Sequence, residues 1–146
     1  MKAIIRWGVP PKKSNIGMVN AGIEVFCHSI EYARRDILRL QACIEGVFCY
    51  CVGNIRSQRQ RNELSVGLFS DAHKVEVVIQ HCGPGGEWDF KLRSDSNKPL
   101  KRTGFDAMGL YIANEMLFSL EYESRFDIVT GNNNRIYTLL YLPQGR

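Results

Sequence analysis

The spacing of apolar residues changes from a helical to a strand repeat near residue 63, and this change limits the folds open to the chain. Before it, apolar residues recur every three or four positions, which is typical of amphipathic helices. After it, residues 64–68 and 75–79 alternate between apolar and polar or small side chains, which predicts strands with one buried face. A helical first half followed by neighbouring strands predicts a protein of the α+β class.

Two helices are predicted in the first half of the chain. Ser14 is expected to cap a helix over residues 14–27, where isoleucine, valine and phenylalanine recur at helical spacing. A longer helix is expected over residues 32–52, where apolar side chains form one continuous face. Gly53 and Asn54 are expected to end this second helix.

The rest of the chain is predicted to form strands and one more helix. The predicted segments are a strand at 3–7, a hairpin at 64–68 and 75–79 with a turn at 71–74, a helix at 106–118, and strands at 120–129 and 135–142 joined by a turn at 131–134. Polar residues 56–62 are predicted to be a loop, and 94–99 a mobile one.

Strands joined by short turns pair antiparallel, so this order predicts a particular architecture. We expect an α+β two-layer sandwich, with a mostly antiparallel mixed sheet of about five strands and three helices on one face. No internal repeat or linker divides the chain, so residues 1–146 are expected to form a single domain.

Composition excludes several classes of protein. The 146 residues are 45% hydrophobic and 23% charged, as in globular domains, and no apolar run is long enough to cross a membrane. Arg6 interrupts the opening apolar residues, so no secretion signal is expected. The five cysteines include no C-x-x-C pair, which favours reduced and mostly buried thiols in a cytoplasmic protein.

The net charge is too small and too scattered to indicate a nucleic-acid partner. The chain has 19 basic and 15 acidic residues, for a net charge of +4. Local basic clusters occur at Arg56, Arg59, Arg61 and at Lys98, Lys101, Arg102. A nucleic-acid-binding protein more often carries a basic stripe with interleaved aromatic residues. We therefore do not expect nucleic acid as a partner.

Two places in the sequence carry functional information. Glu45 stands in the middle of the long helix, and a glycine-rich turn (residues 81–86, the glycine turn) follows the hairpin. Glycines let a backbone approach a nucleotide closely, and the N–H groups at a helix start, here near Gly109, favour phosphate. The same features also fit a plain interpretation. The glycine turn is then a hairpin exit, Glu45 a solvated side chain, and Gly109 a residue that permits close helix packing.

The order and spacing of these features resemble the GHKL ATPase fold of gyrase and histidine kinases. Within that fold, they resemble specifically the compact anti-sigma-factor serine kinases of bacterial partner-switching systems. The family's first box is a glutamate and an asparagine four residues apart, its second is Asp-x-Gly-x-Gly, and its third is Gly-x-Gly-Leu. These boxes stand here as Glu45 with Cys49, as His81-Cys82-Gly83-Pro84-Gly85, and as Ala107-Met108-Gly109-Leu110.

The resemblance implies a role for each of these positions. Where this sequence has a different residue, the resemblance implies that the role is lost. In the family the glutamate activates the attacking group, the asparagine binds magnesium, the aspartate binds the adenine amino group, and the third-box glycines line the phosphates. The matching residues are Glu45, Gly83, Gly85, Gly109 and Leu110, and the departures are Cys49, His81 and Ala107. Magnesium prefers hard oxygen ligands to the Cys49 thiol, and a neutral imidazole at His81 cannot replace a carboxylate. The resemblance therefore implies weak or lost binding of ATP and Mg²⁺.

Two functions follow from the resemblance. The first is a signalling regulator that binds a protein partner, such as a sigma factor, an antagonist domain or a sensor, and that forms homodimers as family members commonly do. The alternative is an active ATP- and Mg²⁺-dependent serine kinase that phosphorylates an anti-sigma-factor antagonist, with Glu45 as its base. A metal site at Cys49 and His81 and a reactive thiol at Cys82 are further alternatives, beside simple packing.

Overall fold

The computed structural model describes residues 3–55, 63–71, 73–92 and 105–143. The predicted loops at 56–62 and 94–99 lie outside the described residues, as do the basic clusters within 56–61 and 98–102. The elements are β1 (Ala3–Val9), α1 (Ile16–Ser29), α2 (Arg34–Ile55), β2 (Leu64–Ser70), β3 (Val75–His81), α3 (Phe105–Met116), β4 (Ser119–Asp127) and β5 (Asn132–Tyr141).

The five strands form one open sheet in the order β1-β2-β3-β5-β4. Every neighbouring pair is antiparallel. Along β3, Val75, Val77 and Ile79 are fully buried and the residues between them are half-buried, so the helices cover one face of the sheet. The predicted α+β class, with five strands and three helices, is therefore confirmed.

The start of α1 differs from the prediction. Ser14 does not cap the helix, because Lys13–Asn15 form a short 3-10 helix and α1 begins at Ile16. The Asn15 side chain donates a hydrogen bond to the Pro10 carbonyl (2.9 Å) instead of capping the helix. This hydrogen bond joins Asn15 to Pro10, and α1 starts two residues later than predicted.

Helix α2 continues past the glycine and asparagine that were expected to end it. It runs to Ile55, whose side chain is 2% exposed and belongs to the core. Asn54 lies against Gly86 of the glycine turn, so tertiary packing holds the last turn of the helix in place. The prediction of an end at Gly53–Asn54 was therefore wrong, because helix propensity is a weaker term than burial.

Turn geometry also sets the limits of the last hairpin. In this turn, Gly131 adopts the left-handed conformation (φ 73°), and its N–H donates to the Asp127 carbonyl at 2.8 Å. Asn132 therefore already pairs with Asp127, and β5 begins three residues earlier than its predicted start. The asparagines expected in the turn are strand residues.

Helix α2 connects the helix layer to the sheet. Near its start, the buried carboxylate of Asp36 accepts a hydrogen bond from the Tyr141 hydroxyl at 2.6 Å, which ties α2 to the end of β5. Near its middle, α2 crosses α3 at Gly46 and Gly109. Within the residues that the structure describes, no helix is long and apolar enough to span a bilayer.

Candidate functional site

A groove of about 290 Å³ runs along the outer side of the crossing between α2 and α3. It is lined by Ala42, Glu45, Gly46, Cys49, Met108, Gly109 and Ile112. Helical spacing explains the α2 part of this lining, because residues three and four apart share one face of a helix. The structure therefore brings together Glu45, Cys49 and Gly109, three of the residues singled out in the sequence.

Close helix packing explains why two of the lining residues are glycines. A Cβ atom on Gly46 would overlap the carbonyl of Gly109, and one on Gly109 would lie 3.1 Å from the Cα of Gly46. The packing interpretation of Gly109 is therefore supported. The neighbouring Leu110, also a third-box residue, is fully buried in the core and does not line the groove.

His81 lies at the end of β3 and is 1% exposed. Its ring stacks on Tyr137 with centroids 6.0 Å apart and planes inclined by 14°. Its Nδ1 atom accepts a hydrogen bond from the Gly83 N–H at 3.0 Å, so the neutral ring carries its proton on Nε2. Burial, with a further contribution from the positive charge of Arg135, lowers the pKa of His81 to about 4. The side chain is therefore neutral at pH 7.

The Asp89 carboxylate accepts three hydrogen bonds beside the glycine turn, and no pattern in the sequence singles this residue out. Its Oδ1 accepts hydrogen bonds from the hydroxyls of Tyr50 (2.8 Å) and Tyr137 (2.7 Å), and its Oδ2 accepts one from the Gly86 N–H (2.8 Å). The Tyr50 hydroxyl in turn accepts one from the Trp88 N–H at 3.1 Å. Burial and the Asp89 charge raise the pKa of both tyrosines, which keeps them as donors.

The glycine turn is held between Asp89 and Arg135 of β5. Arg135 donates through Nε to the Gly83 carbonyl (3.2 Å) and through Nη1 to the Tyr122 hydroxyl (3.0 Å). A Cβ atom on Gly85 would lie 2.6 Å from Asp89 Oδ2 and 3.2 Å from Arg135 Nη1. A side chain at Gly85 would therefore have to displace Asp89 or Arg135, so this glycine packs against the protein itself.

The predicted site residues occupy two separate places. Glu45, Cys49 and Gly109 line the groove, whereas His81, Gly83 and Gly85 are not part of its lining. The glycine turn contacts α2 through Tyr50, which follows Cys49 directly in the sequence. Successive residues point about 100° apart around a helix. Cys49 therefore lines the groove, while the next residue, Tyr50, is directed to the glycine turn.

The donor atoms of the groove do not suit a magnesium ion. Among the described residues, Glu45 is the only carboxylate in the lining, and its neighbour Cys49 offers a soft thiol where Mg²⁺ needs hard oxygens. Within the described ranges, no group of three histidine, cysteine, aspartate or glutamate residues is arranged to hold a metal. The exposed Cys82 lies with its Sγ 3.0 Å from Asn134 Oδ1, on the glycine turn and outside the groove.

The remaining thiols belong to the core. Cys27, Cys43 and Cys51 are fully buried and unpaired, as predicted for most of the cysteines. Burial raises the pKa of Cys27 and of Cys43 to about 12. A thiol with so high a pKa forms almost no thiolate at neutral pH, so these residues act as small apolar side chains.

The buried imidazole of His81 predicts a loss of stability in mild acid. An unfolded histidine has a pKa near 6.5 and the folded one a pKa of about 4, so between these values the unfolded chain binds a proton that the folded chain excludes. The contribution is present above pH 6.5 and is lost as the pH falls towards 4. We expect it to lower the free energy of unfolding by about 2 kcal/mol between pH 7 and pH 5.

Urea unfolding at the two pH values measures this loss. His81→Asn keeps an acceptor for the Gly83 N–H but does not titrate, so its unfolding should depend less on pH than that of the unchanged protein. His73→Asn, at an exposed position, is the matched control and should keep the full dependence. Equal pH dependence in the unchanged protein and in His81→Asn would contradict the assignment.

No protein-family model matches this chain. No curated protein matches it either. The geometry of the groove and of the glycine turn is therefore the basis for the functional conclusion.

Proposed function

We propose that this chain is a cytoplasmic signalling regulator that acts by binding another protein and has weak or no affinity for ATP. Its scaffold is of the histidine kinase-like ATPase type, and its partner is of the kind that such regulators bind, namely a sigma factor, an antagonist domain or a sensor. One observation carries the proposal: backbone donors of the glycine turn are bonded to the protein's own side chains.

A phosphate-binding turn needs N–H groups that point at the ligand. Here the N–H of Gly83 is bonded to His81, and that of Gly86 to the carboxylate of Asp89. A phosphate placed on the Gly86 N–H would displace that carboxylate and bring two negative groups together. Like charges so placed repel each other, and burial strengthens the repulsion. This arrangement favours a turn that stabilises the fold over one that binds nucleotide.

Exposed apolar side chains support protein binding as the remaining role. At the tip of the β4–β5 hairpin, Phe126 is 63% exposed, Ile128 87% and Val129 94%. Contiguous exposed apolar groups on a soluble protein often mark a surface that contacts another protein. The hairpin tip is thus available to a partner without any change in the core.

Calorimetric titration with ATP and Mg²⁺ is the direct test of the lost nucleotide site. We expect no saturable heat at millimolar ATP, because N–H groups of the turn are bonded internally and the described lining of the groove offers Mg²⁺ a single carboxylate. A repeat with the magnesium chelated separates metal-dependent binding from non-specific heats. A one-site isotherm that disappears on chelation would contradict the proposal and support the serine kinase alternative.

Restoring the family's residues tests the alignment of the boxes. Cys49→Asn with His81→Asp should gain magnesium-dependent ATP binding, because an amide oxygen is a hard ligand and a carboxylate accepts the adenine amino group. The gain is expected to be small while Asp89 still holds the turn. Cys82→Asn with His73→Asp makes the same changes at exposed positions and should gain nothing. A folded Cys49→Asn, His81→Asp variant without binding would show that the boxes are misaligned.

A further inference from the structure

The groove between α2 and α3 belongs to a longer exposed surface. Two stripes of exposed residues form this α2–α3 surface, one on each helix: Leu38, Ala42 and Glu45 on α2, and Met108, Ile112 and Glu115 on α3. In each stripe the residues are three or four positions apart, so they share one face of their helix. Leu38 is 51% exposed, Ile112 42% and Met108 38%. Three large apolar side chains therefore lie in water on the two walls of the groove.

The two helices run antiparallel, and this brings the stripes side by side. The start of α2 lies at the end of β5, where the Asp36 carboxylate accepts a hydrogen bond from the Tyr141 hydroxyl. The end of α3 lies at the same place, because α3 leads directly into β4 and Ser119 of β4 pairs with Leu140 of β5. Both stripes therefore extend from the crossing of the helices towards this end of the sheet.

Each wall of the groove carries one carboxylate. Glu45 precedes Gly46 of the crossing by one position, and Glu115 follows Gly109 of the crossing by six. The two carboxylates are therefore offset by five residues, or about 8 Å, along the groove. Within the part of the chain that the structure describes, neither carboxylate has a hydrogen bond or an ion pair. The surface is thus apolar along its middle and negative on both sides.

The chemistry of this surface is complementary to a row of apolar side chains with a positive charge on each side. An amphipathic helix supplies that arrangement, because its apolar stripe packs between two helices. Residues five or six positions apart on it lie on opposite flanks, about 120–140° around the axis. From Leu38 to Cys49 the α2 wall is about 16 Å long, which matches three turns of a helix. A small cation would leave Leu38 uncovered, since that residue lies beyond the lining of the cavity.

We propose that the α2–α3 surface binds a basic amphipathic helix of another protein. The apolar stripe of that helix packs against Leu38, Met108 and Ile112, and one basic side chain on each flank pairs with Glu45 or Glu115. The inference rests on the proposed function, because it names the part of the protein partner that is recognised. It does not involve the glycine turn or the tip of the β4–β5 hairpin.

A labelled synthetic peptide is the probe for this surface. It has about 18 residues, which is long enough to be helical, with leucine along one face and lysine on both flanks. Titration of the peptide with the full chain, followed by fluorescence anisotropy, should give saturable binding with a dissociation constant in the micromolar range. A second peptide with glutamine in place of every lysine keeps the leucine face. We expect it to bind about tenfold more weakly, because it lacks both ion pairs.

Charge reversal on the protein locates the peptide. Glu45→Lys and Glu115→Lys should each weaken binding of the lysine peptide by about tenfold, since an attraction becomes a repulsion. The double variant Glu45→Lys, Glu115→Lys should instead bind a peptide with glutamate on both flanks. Glu121→Lys is the matched control, because Glu121 is exposed on the opposite face of the sheet from the helices, and it should bind the lysine peptide as the unchanged chain does.

Other occupants of the groove predict different results. Equal binding of the lysine and glutamine peptides would overturn the pairing with Glu45 and Glu115. Displacement of the peptide by an equal concentration of hexylamine would assign the groove to a small cation. Self-association of the unchanged chain that the peptide reverses would assign it to a second copy, and either result would overturn the proposal.

Failure of this inference can be told apart from failure of the proposed function. No saturable peptide binding up to about 1 mM, together with no binding of ATP, would overturn the groove assignment alone. Magnesium-dependent binding of ATP would overturn the proposed function, whatever the peptide does.

Discussion

Replacing Asp89 by alanine is expected to lower the free energy of unfolding by about 3–5 kcal/mol. The carboxylate accepts hydrogen bonds from the hydroxyls of Tyr50 and Tyr137 and from the Gly86 N–H, and it is 6% exposed. Alanine would leave these three donors without an acceptor inside the protein, and each buried donor then costs its full desolvation energy. Urea unfolding at pH 7 measures the loss.

A conservative change at the same position separates hydrogen bonding from packing. Asp89→Asn keeps an oxygen for the two tyrosines but presents an amide NH₂ to the Gly86 N–H, so two donors face each other. We expect this variant to lose about half as much stability as Asp89→Ala. An alanine variant within about 1 kcal/mol of the unchanged protein would show that Asp89 does not organise the turn.

Replacing Gly46 by alanine is expected to lower the free energy of unfolding by about 3 kcal/mol. The added methyl group would overlap the Gly109 carbonyl, and both atoms involved belong to helix backbones that cannot rotate away. The two helices must then separate, which removes contacts along the whole crossing. Alanine's better helix propensity offsets only about 1 kcal/mol of this loss.

Gly17 provides the matched control in α1. A Cβ atom added there meets no heavy atom within 4 Å, so Gly17→Ala gains helix propensity without a clash. We expect it to raise the free energy of unfolding by about 0.5–1 kcal/mol. Thermal and urea unfolding of the two variants should therefore change in opposite directions. A Gly46→Ala protein as stable as Gly17→Ala would mean that the helices do not cross at Gly46 and Gly109.

The part of the site that lies on one helix could be predicted from the sequence, because its residues follow the helical spacing. Glu45 and Cys49 lie four positions apart on one helix, so the sequence places them side by side before any tertiary contact is known. Asp89 was not predictable in the same way, because residues 87–104 show no helical or strand period. Its partners Tyr50 and Tyr137 are 39 and 48 positions away and come together only when the sheet and α2 pack.

The glycine turn shows why a spacing of residues does not by itself define a site. The order of His81, Gly83 and Gly85 resembles a nucleotide-binding box, and the chain does form a turn there. Asp89, just after the turn, then accepts a hydrogen bond from the Gly86 N–H, and Arg135 of β5 donates one to the Gly83 carbonyl. Arg135 is 52 positions from Gly83, so no local pattern reveals that this carbonyl is already bonded.

The sequence by itself determined the order of the helices and strands, the antiparallel hairpins and the buried face of each element. These features depend on hydrophobic spacing and turn residues, which act over a few positions along the chain. Only the tertiary structure decided the close crossing of α2 and α3, the length of α2, the bonding of the glycine turn and the exposure of Leu38. Each of these depends on which distant residues meet, and that is set by packing the whole core at once.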